Sequence, residues 1–316
     1  MNQEHGIDEI RPNPDSVLTV GAFDGIHRGH QAILRKLKRR ARALGGPATL
    51  VTFDPHPREV LSDQPVPLLT TIEERARLAE EEGIDRFVVL RFTREFSELT
   101  PEEYVQDVLL GKVGMQAVVV GYDHRFGRGQ EGTTETLRAL GRREDFGVMV
   151  VSAEELGDRA ISSSEIRRLL REEGAVQEAA RLLGCPYRLG GVVVRGEGRG
   201  RKIGYPTANI RPDAPRKLVP AKGVYAVRAR LSDGSDPRSH GGMMNIGVRP
   251  TFEEDEETVV EAHLFDFDGE LYGEAVTVEF VERIRDERAF SSVDELAAQL
   301  EKDEKRCKEL LELVNS

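Results

Sequence analysis

Along the first half of the chain, short apolar runs alternate with stretches of helical periodicity. The pattern predicts strands over 16–20, 48–53, 86–90, 117–120 and 147–151, and helices over 31–44, 71–82, 101–109 and 133–140. Such an order predicts a parallel sheet covered by helices, with ligands at the carboxyl ends of its strands, where Gly21, Asp54 and Gly121 fall. A further helix is expected from the serines at 162–164 to about Leu183. The helical pattern stops at Gly184-Cys185-Pro186, and runs at 187–195, 223–231, 241–246, 258–265 and 275–284, separated by Gly, Pro and Asp, then suggest a small antiparallel barrel. Val293, Leu296, Ala297, Leu300, Cys307, Leu310, Leu311 and Val314 share one face of a late helix, read as a packing helix, with the charged run 301–306 as solvated surface. The expected domains are therefore 1–184 and 185–316.

Composition narrows the function. The 316 residues give room for two cores, and 39% apolar against 32% charged residues suits a soluble globular protein. The net charge of −11 disfavours a broad nucleic-acid surface and leaves small polyanions, held in a site, as the expected anionic ligands. No apolar run approaches a membrane span, and the first residues lack a basic, apolar leader, so a cytoplasmic protein is expected. Cys185 and Cys307, far apart and outside any CxxC, argue against a disulfide scaffold or zinc knot and read as small buried or half-buried side chains.

The richest segment is Gly21-Ala-Phe-Asp-Gly-Ile-His-Arg-Gly-His30, where a β-branched run gives way to a helix. His27 and His30 would sit in the first helical turn, where free backbone N–H groups and the helix dipole favour phosphate. Two histidines also begin a metal site, but no third ligand follows at conventional spacing, and a capping or packing histidine is the plainer alternative. Neither G-x-x-x-x-G-K-[ST] nor G-x-G-x-x-G is present. Ser162, Ser163 and Ser164, followed by Glu165 and Arg167, are a second phosphate candidate that simple helix capping would also explain. The glycine-rich stretch 190–200 can bring backbone close to phosphates or form a flexible hairpin.

Together with 52–57 (Thr-Phe-Asp-Pro-His-Pro), 121–127 (Gly-Tyr-Asp-His-Arg-Phe-Gly), 200–210, 222–225, 244–251 and 260–273, these motifs resemble, in order and across both halves, the bacterial bifunctional riboflavin kinase and FAD synthetase family. The resemblance implies a Rossmann-like HxGH nucleotidyltransferase domain that adenylylates FMN. It further implies a six-stranded antiparallel riboflavin-kinase β-barrel with a C-terminal helix. In the first domain it assigns Gly21, Phe23, Asp24, His27, His30, His56, Ser162, Ser163, Ser164 and Arg167 to ATP and its phosphates, with His27, His30 and Arg167 catalytic. Asp123, Arg125 and Phe126 fall on the flavin side, where His124 stands at a position the family more often fills with a bulky aromatic. In the second domain it makes Glu261 the general base for the ribityl hydroxyl, which from alternation alone reads equally as an outward-facing polar residue. Gly196, Gly204, Pro206 and Thr207 are assigned to ATP, Thr207 and Asn209 to Mg²⁺, and Asn245 and Arg249 to the flavin. Riboflavin, FMN, FAD and ATP are thereby implied as substrates or products, without nucleic acid, membrane or an obligate protein partner. A flavin sensor without turnover is the rival from another class.

Overall fold

The computed structural model describes residues 1–6, 9–156, 161–196, 200–231, 239–250 and 256–313. Two compact units divide the chain, 1–163 and 164–316. In the first, strands β1 (Asn2–His5), β2 (Val17–Val20), β3 (Ala48–Asp54), β4 (Arg86–Arg91), β5 (Ala117–Gly121) and β6 (Gly147–Val151) form one parallel sheet in the order β1-β4-β3-β2-β5-β6. Successive strand residues face opposite layers. Leu18, Val20, Val118 and Val120 pack with Tyr104, Leu109 and Leu137, whereas Val17, Ala117 and Val119 pack with Leu34, Leu37 and Ala76. The chain leaves β2 to build one side of the sheet and returns to build the other from β5. The loops after β2 and β5 therefore flank the switch point where an open α/β sheet binds ligands.

Five of these strands lie where periodicity places them. The first strand does not announce itself, because Asn2–His5 is polar, and its pairing with β4 depends on buried Glu4 meeting Arg86 at 2.7 Å. The helix from 101 starts on a Thr100 capping box but widens into π-type turns over Tyr104–Val113. The helix foreseen from the serines to Leu183 is interrupted: Gly174, at φ 62°, ends one segment, and Val176–Leu183 begins another.

In the second unit β7 (Arg188–Val194), β8 (Ala208–Pro212), β9 (Gly223–Leu231), β10 (Ser239–Pro250), β11 (Glu256–Leu264) and β12 (Ala275–Arg285) close into an antiparallel barrel ordered β10-β11-β8-β7-β12-β9. β8 is absent from the strands expected individually, since its proline-rich approach reads as a turn, and β10 runs well past Ile246. The C-terminal helix Val293–Leu313 covers one barrel face, where Cys307, Leu310 and Leu311 pack on Ala226, Met243 and Phe265. Its charged run is not wholly solvated. Asp303 is buried and receives Arg285 Nη2 at 2.7 Å and Nε at 2.9 Å, while Val293 is 62% exposed and Val314 lies outside the described residues. Cys185 is half-buried, and burial pushes the Cys307 thiol up to about 12.

Candidate functional site

The turn between β2 and the helix Arg28–Leu44 is built on a buried charge. The Asp24 carboxylate, 1% exposed, accepts from the Leu69 and Thr70 amides at 3.0 and 2.8 Å and from Thr70 Oγ1 at 3.0 Å. Arg75, 2% exposed, lies 3.5 Å from it and donates to Thr52 Oγ1 at 2.9 Å, and that hydroxyl in turn donates to the Ala22 carbonyl at 2.9 Å. The network holds backbone that most residues avoid: Phe23 and the β-branched Ile26 have φ of 48° and 37°. Expected among the phosphate residues, Asp24 thus spends its carboxylate on the loop beneath them, and Phe23 is buried with its ring 4.6 Å from that of His30.

His27 is the helix N-cap rather than a first-turn residue, and His30 occupies the third helical position. The His27 Nδ1 accepts the His30 amide across a long 3.4 Å, and the two rings stack at 3.6 Å. An acceptor Nδ1 requires the neutral tautomer that carries its proton on Nε2. The electrostatics agree, since burial pushes the His27 pKa down to about 4 against the pull of Asp24. Burial, then His27 and Arg75, hold His30 well below the ordinary imidazole value, and its buried Nδ1 has no hydrogen-bond partner among the described residues. Gly29 allows the stack, because a Cβ there would stand 3.2 Å from the His27 ring.

Gly21 follows β2, and His56 caps the short helix Pro57–Ser62, its Nδ1 accepting from the Arg58 amide at 3.2 Å. Ser163 Oγ donates to the Asp24 carbonyl at 2.9 Å, tying the serine segment to the turn, and Ser164 and Arg167 follow in the helix Ser163–Arg168. After β5, Asp123 and Arg125 are exposed, whereas Phe126 is 7% exposed and braces the loop from the core against Tyr104. His124 stacks over Phe126 at 5.7 Å, and burial lowers its pKa to about 4 against Asp123.

In the barrel, the site is a row. Pairing sets Asn209 opposite Glu261, Glu261 opposite Asn245, Asn245 opposite Val224 and, across register shifts in β12, Val224 opposite Arg285. Directly paired residues share a sheet face, so the alternation that left Glu261 ambiguous places it between two amides, on the face that continues to Arg285. Glu261, Asn245, Val224 and Arg285 line a cavity of about 680 Å³, together with Thr207, Tyr205, His263, Glu287, Arg288 and the apolar start of the C-terminal helix. Thr207 also lines a smaller cavity of about 80 Å³ with Pro206. Gly196 approaches Asn209 so closely that a Cβ there would lie 2.1 Å from its Nδ2. Gly204 adopts a φ of 83°, Arg249 pairs through its backbone with Glu257, and residues 197–199 of the glycine-rich stretch lie outside the described residues. Sequence reasoning missed Arg285, Glu287 and Arg288: the register of β12 brings Arg285 to the row, and the segment just past that strand brings Glu287 and Arg288 to the cavity.

A family model for FAD synthetase matches residues 9–165, and one for riboflavin kinase matches 183–311. The chain is 40% identical to the bifunctional riboflavin kinase/FMN adenylyltransferase of Listeria monocytogenes over 92% of its length and 90% of the relative's. It is 37% identical to the proteins of that name from Pseudomonas fluorescens, over 96% of each chain, and Escherichia coli, over 96% and 95%. A crystal structure described as a macrolide-efflux protein from Streptococcus pneumoniae superposes with a TM-score of 0.87 at 34% identity, covering 98% of this chain and 99% of that one. Among the described residues no helix is long and apolar enough to cross a membrane. With both halves matched in order and full-length relatives at this identity, the chain belongs to the bifunctional riboflavin kinase/FMN adenylyltransferase family.

Proposed function

We propose that the two activities of this bifunctional enzyme divide at about residue 184, with FMN adenylylation carried by 1–184 and riboflavin phosphorylation by 185–316. The observation that carries the division is the presence of a separate polar constellation in each half, within the span of the corresponding family match save for Arg167, which lies just beyond the first. In the first half, an FMN phosphate oxygen attacks the α-phosphorus of ATP, the bond to pyrophosphate breaks, and no enzyme-bound intermediate forms. The nucleophile is already anionic near pH 7, so the barrier is one of charge and alignment. His27, neutral and carrying its proton on Nε2, donates to a phosphate oxygen, and His30 offers its unpartnered Nδ1 side to the same phosphates. Gly21 and His56 line the nucleotide, while Asp24 and Phe23 hold the turn. Ser162, Ser163, Ser164 and Arg167 take the departing pyrophosphate; the one hydroxyl hydrogen of Ser163 goes to the Asp24 carbonyl and ties this group to the turn. Asp123 and Arg125 face the flavin.

In the second half Glu261 removes the proton of the terminal ribityl hydroxyl as that oxygen attacks the γ-phosphorus of ATP and ADP leaves. Thr207 and Asn209 fit a hard divalent cation: both offer oxygens, Thr207 just ahead of β8 and Asn209 within it, and Asn209 pairs with Glu261. Mg²⁺ bound there supplies positive charge to the ATP phosphates. Gly196, Gly204 and Pro206 border the nucleotide, and Asn245 and Arg249 orient the flavin. The enzyme acts in the cytoplasm without an obligate protein partner, and its acidic net charge supports small anions rather than nucleic acid as its ligands. Chromatography of the protein incubated with ATP and Mg²⁺ tests the reading. Riboflavin should give FMN and then FAD, and supplied FMN should give FAD; ligand binding without product would establish the flavin sensor instead.

A further inference from the structure

The seam between β8 and β11 is short: among the described residues, Glu261–Asn209 and Ala262–Ala208 pair across it. Continued by one step in each direction, that antiparallel register would bring His263 opposite Thr207. The ladder cannot run on through Pro206, which has no N–H to give. A side chain bridges the seam at this point. His263 Nδ1 lies 2.7 Å from the Pro206 carbonyl oxygen, and its ring meets the Tyr205 ring edge-on at 5.2 Å. A carbonyl oxygen only accepts, so Nδ1 must carry the hydrogen in this bond. Glu261 and His263 are two apart on β11 and line the same cavity as Thr207.

We infer that His263 is a positioning residue of the kinase, its Nδ1–H bond to Pro206 holding the segment that carries Thr207 and Asn209 against the strand that carries Glu261. The inference rests on the assignment of Thr207 and Asn209 to Mg²⁺ and of Glu261 as base. His263→Phe keeps a ring beside Tyr205 but removes the donor, whereas His263→Asn keeps a donor near the Nδ1 position and removes the ring.

In Mg²⁺-free protein, His263→Phe should accelerate hydrogen exchange of the Thr207–Asn209 amides about fivefold, the worth of one net hydrogen bond of roughly 1 kcal/mol. The same variant should raise the Mg²⁺ concentration for half-maximal FMN formation by a similar factor, and His263→Asn should restore most of both. FAD formation from FMN in the same tube should keep its Mg²⁺ dependence, which separates the site from the supply of Mg²⁺–ATP. Unchanged exchange in His263→Phe, equal loss in both variants, or a ring ¹⁵N spectrum placing the proton on Nε2 alone would each overturn the inference. If Glu261→Gln retains full kinase activity, the underlying site assignment fails, while the exchange result still judges the role of His263.

Discussion

The two halves solve the problem of holding phosphates by opposite means. In the first, the groups that face the ligand are set by backbone: a turn with two non-glycine residues at positive φ, pinned from below by the buried Asp24–Arg75 pair. In the second, they are set by side chains projecting from paired strands, with register aligning Asn209, Glu261 and Asn245. A strained turn needs the surrounding structure to enforce it, whereas a row on a barrel inherits its alignment from the ladder. The adenylylation site should therefore be the more sensitive to changes beneath it, and the kinase site to changes within it.

The largest expected effect separates the two chemically. Glu261→Gln should lower FMN formation from riboflavin by about 10²–10⁴, the ordinary worth of a general base, with FAD formation from supplied FMN intact. The paired His27→Ala and His30→Ala change should do the reverse, lowering FAD formation by about 10²–10³. Product chromatography of each variant checks both, and equal loss of the two activities in a folded variant would break the comparison.

Next comes the foundation of the turn. Arg75→Met strips a buried carboxylate of its cation, which costs about 3–5 kcal/mol when one partner of such a pair is removed. The urea midpoint for loss of FAD formation should fall sharply while that for FMN formation holds. A similar fall in both midpoints would mean that the barrel depends on the first unit for its stability.

Acid should reach the two halves differently. His27 and His124 have pKa values near 4 in the folded first unit, against about 6.5 when unfolded. Between those values the unfolded chain binds more protons, so stability falls as pH drops from about 6.5 to 4 and is unaffected by these groups above that window. For His27 alone the full span is on the order of 3 kcal/mol. His27→Gln should flatten the pH dependence of first-unit unfolding between pH 6.5 and 4, measured by denaturation followed by hydrogen exchange; an unchanged slope would show that His27 is not buried neutral.

What could be read from sequence follows the same division. The apolar runs of β2 to β6 and the periodicity of their helices reflect local burial, so the parallel unit was legible almost strand by strand. Asn2–His5 was not, because a polar strand is held by the long-range pair of Glu4 and Arg86. β8 was hidden by Pro206, whose missing N–H marks a turn until His263 is seen across from it. The motif residues of the sites were legible as residues, but not their division of work. Asp24 and Phe126 turned inward to brace the loops, and Arg285, one residue past the expected last strand, found Asp303 in a helical run read as solvated.

The smallest effects test the comparison at two glycines. Gly196→Ala would set a Cβ 2.1 Å from Asn209 Nδ2, which forces that amide to turn, so the kinase should lose activity while first-unit chemistry holds. Gly29→Ala is milder and mixes two signs. Alanine favours the helix over glycine by up to about 1 kcal/mol, so first-unit stability should hold or rise slightly. The new Cβ, however, would stand 3.2 Å from the His27 Cε1 and Nδ1, so the ring must give by a few tenths of an ångström against its stack with His30. An off-rotamer shift of that kind costs roughly 0.5–1.5 kcal/mol, so FAD formation should fall a few-fold as the urea midpoint stays level. Activity that falls without stability would place the importance of Gly29 in the alignment of His27; if both fall together, the turn is held less by Asp24 and Arg75 than by the helix that follows it.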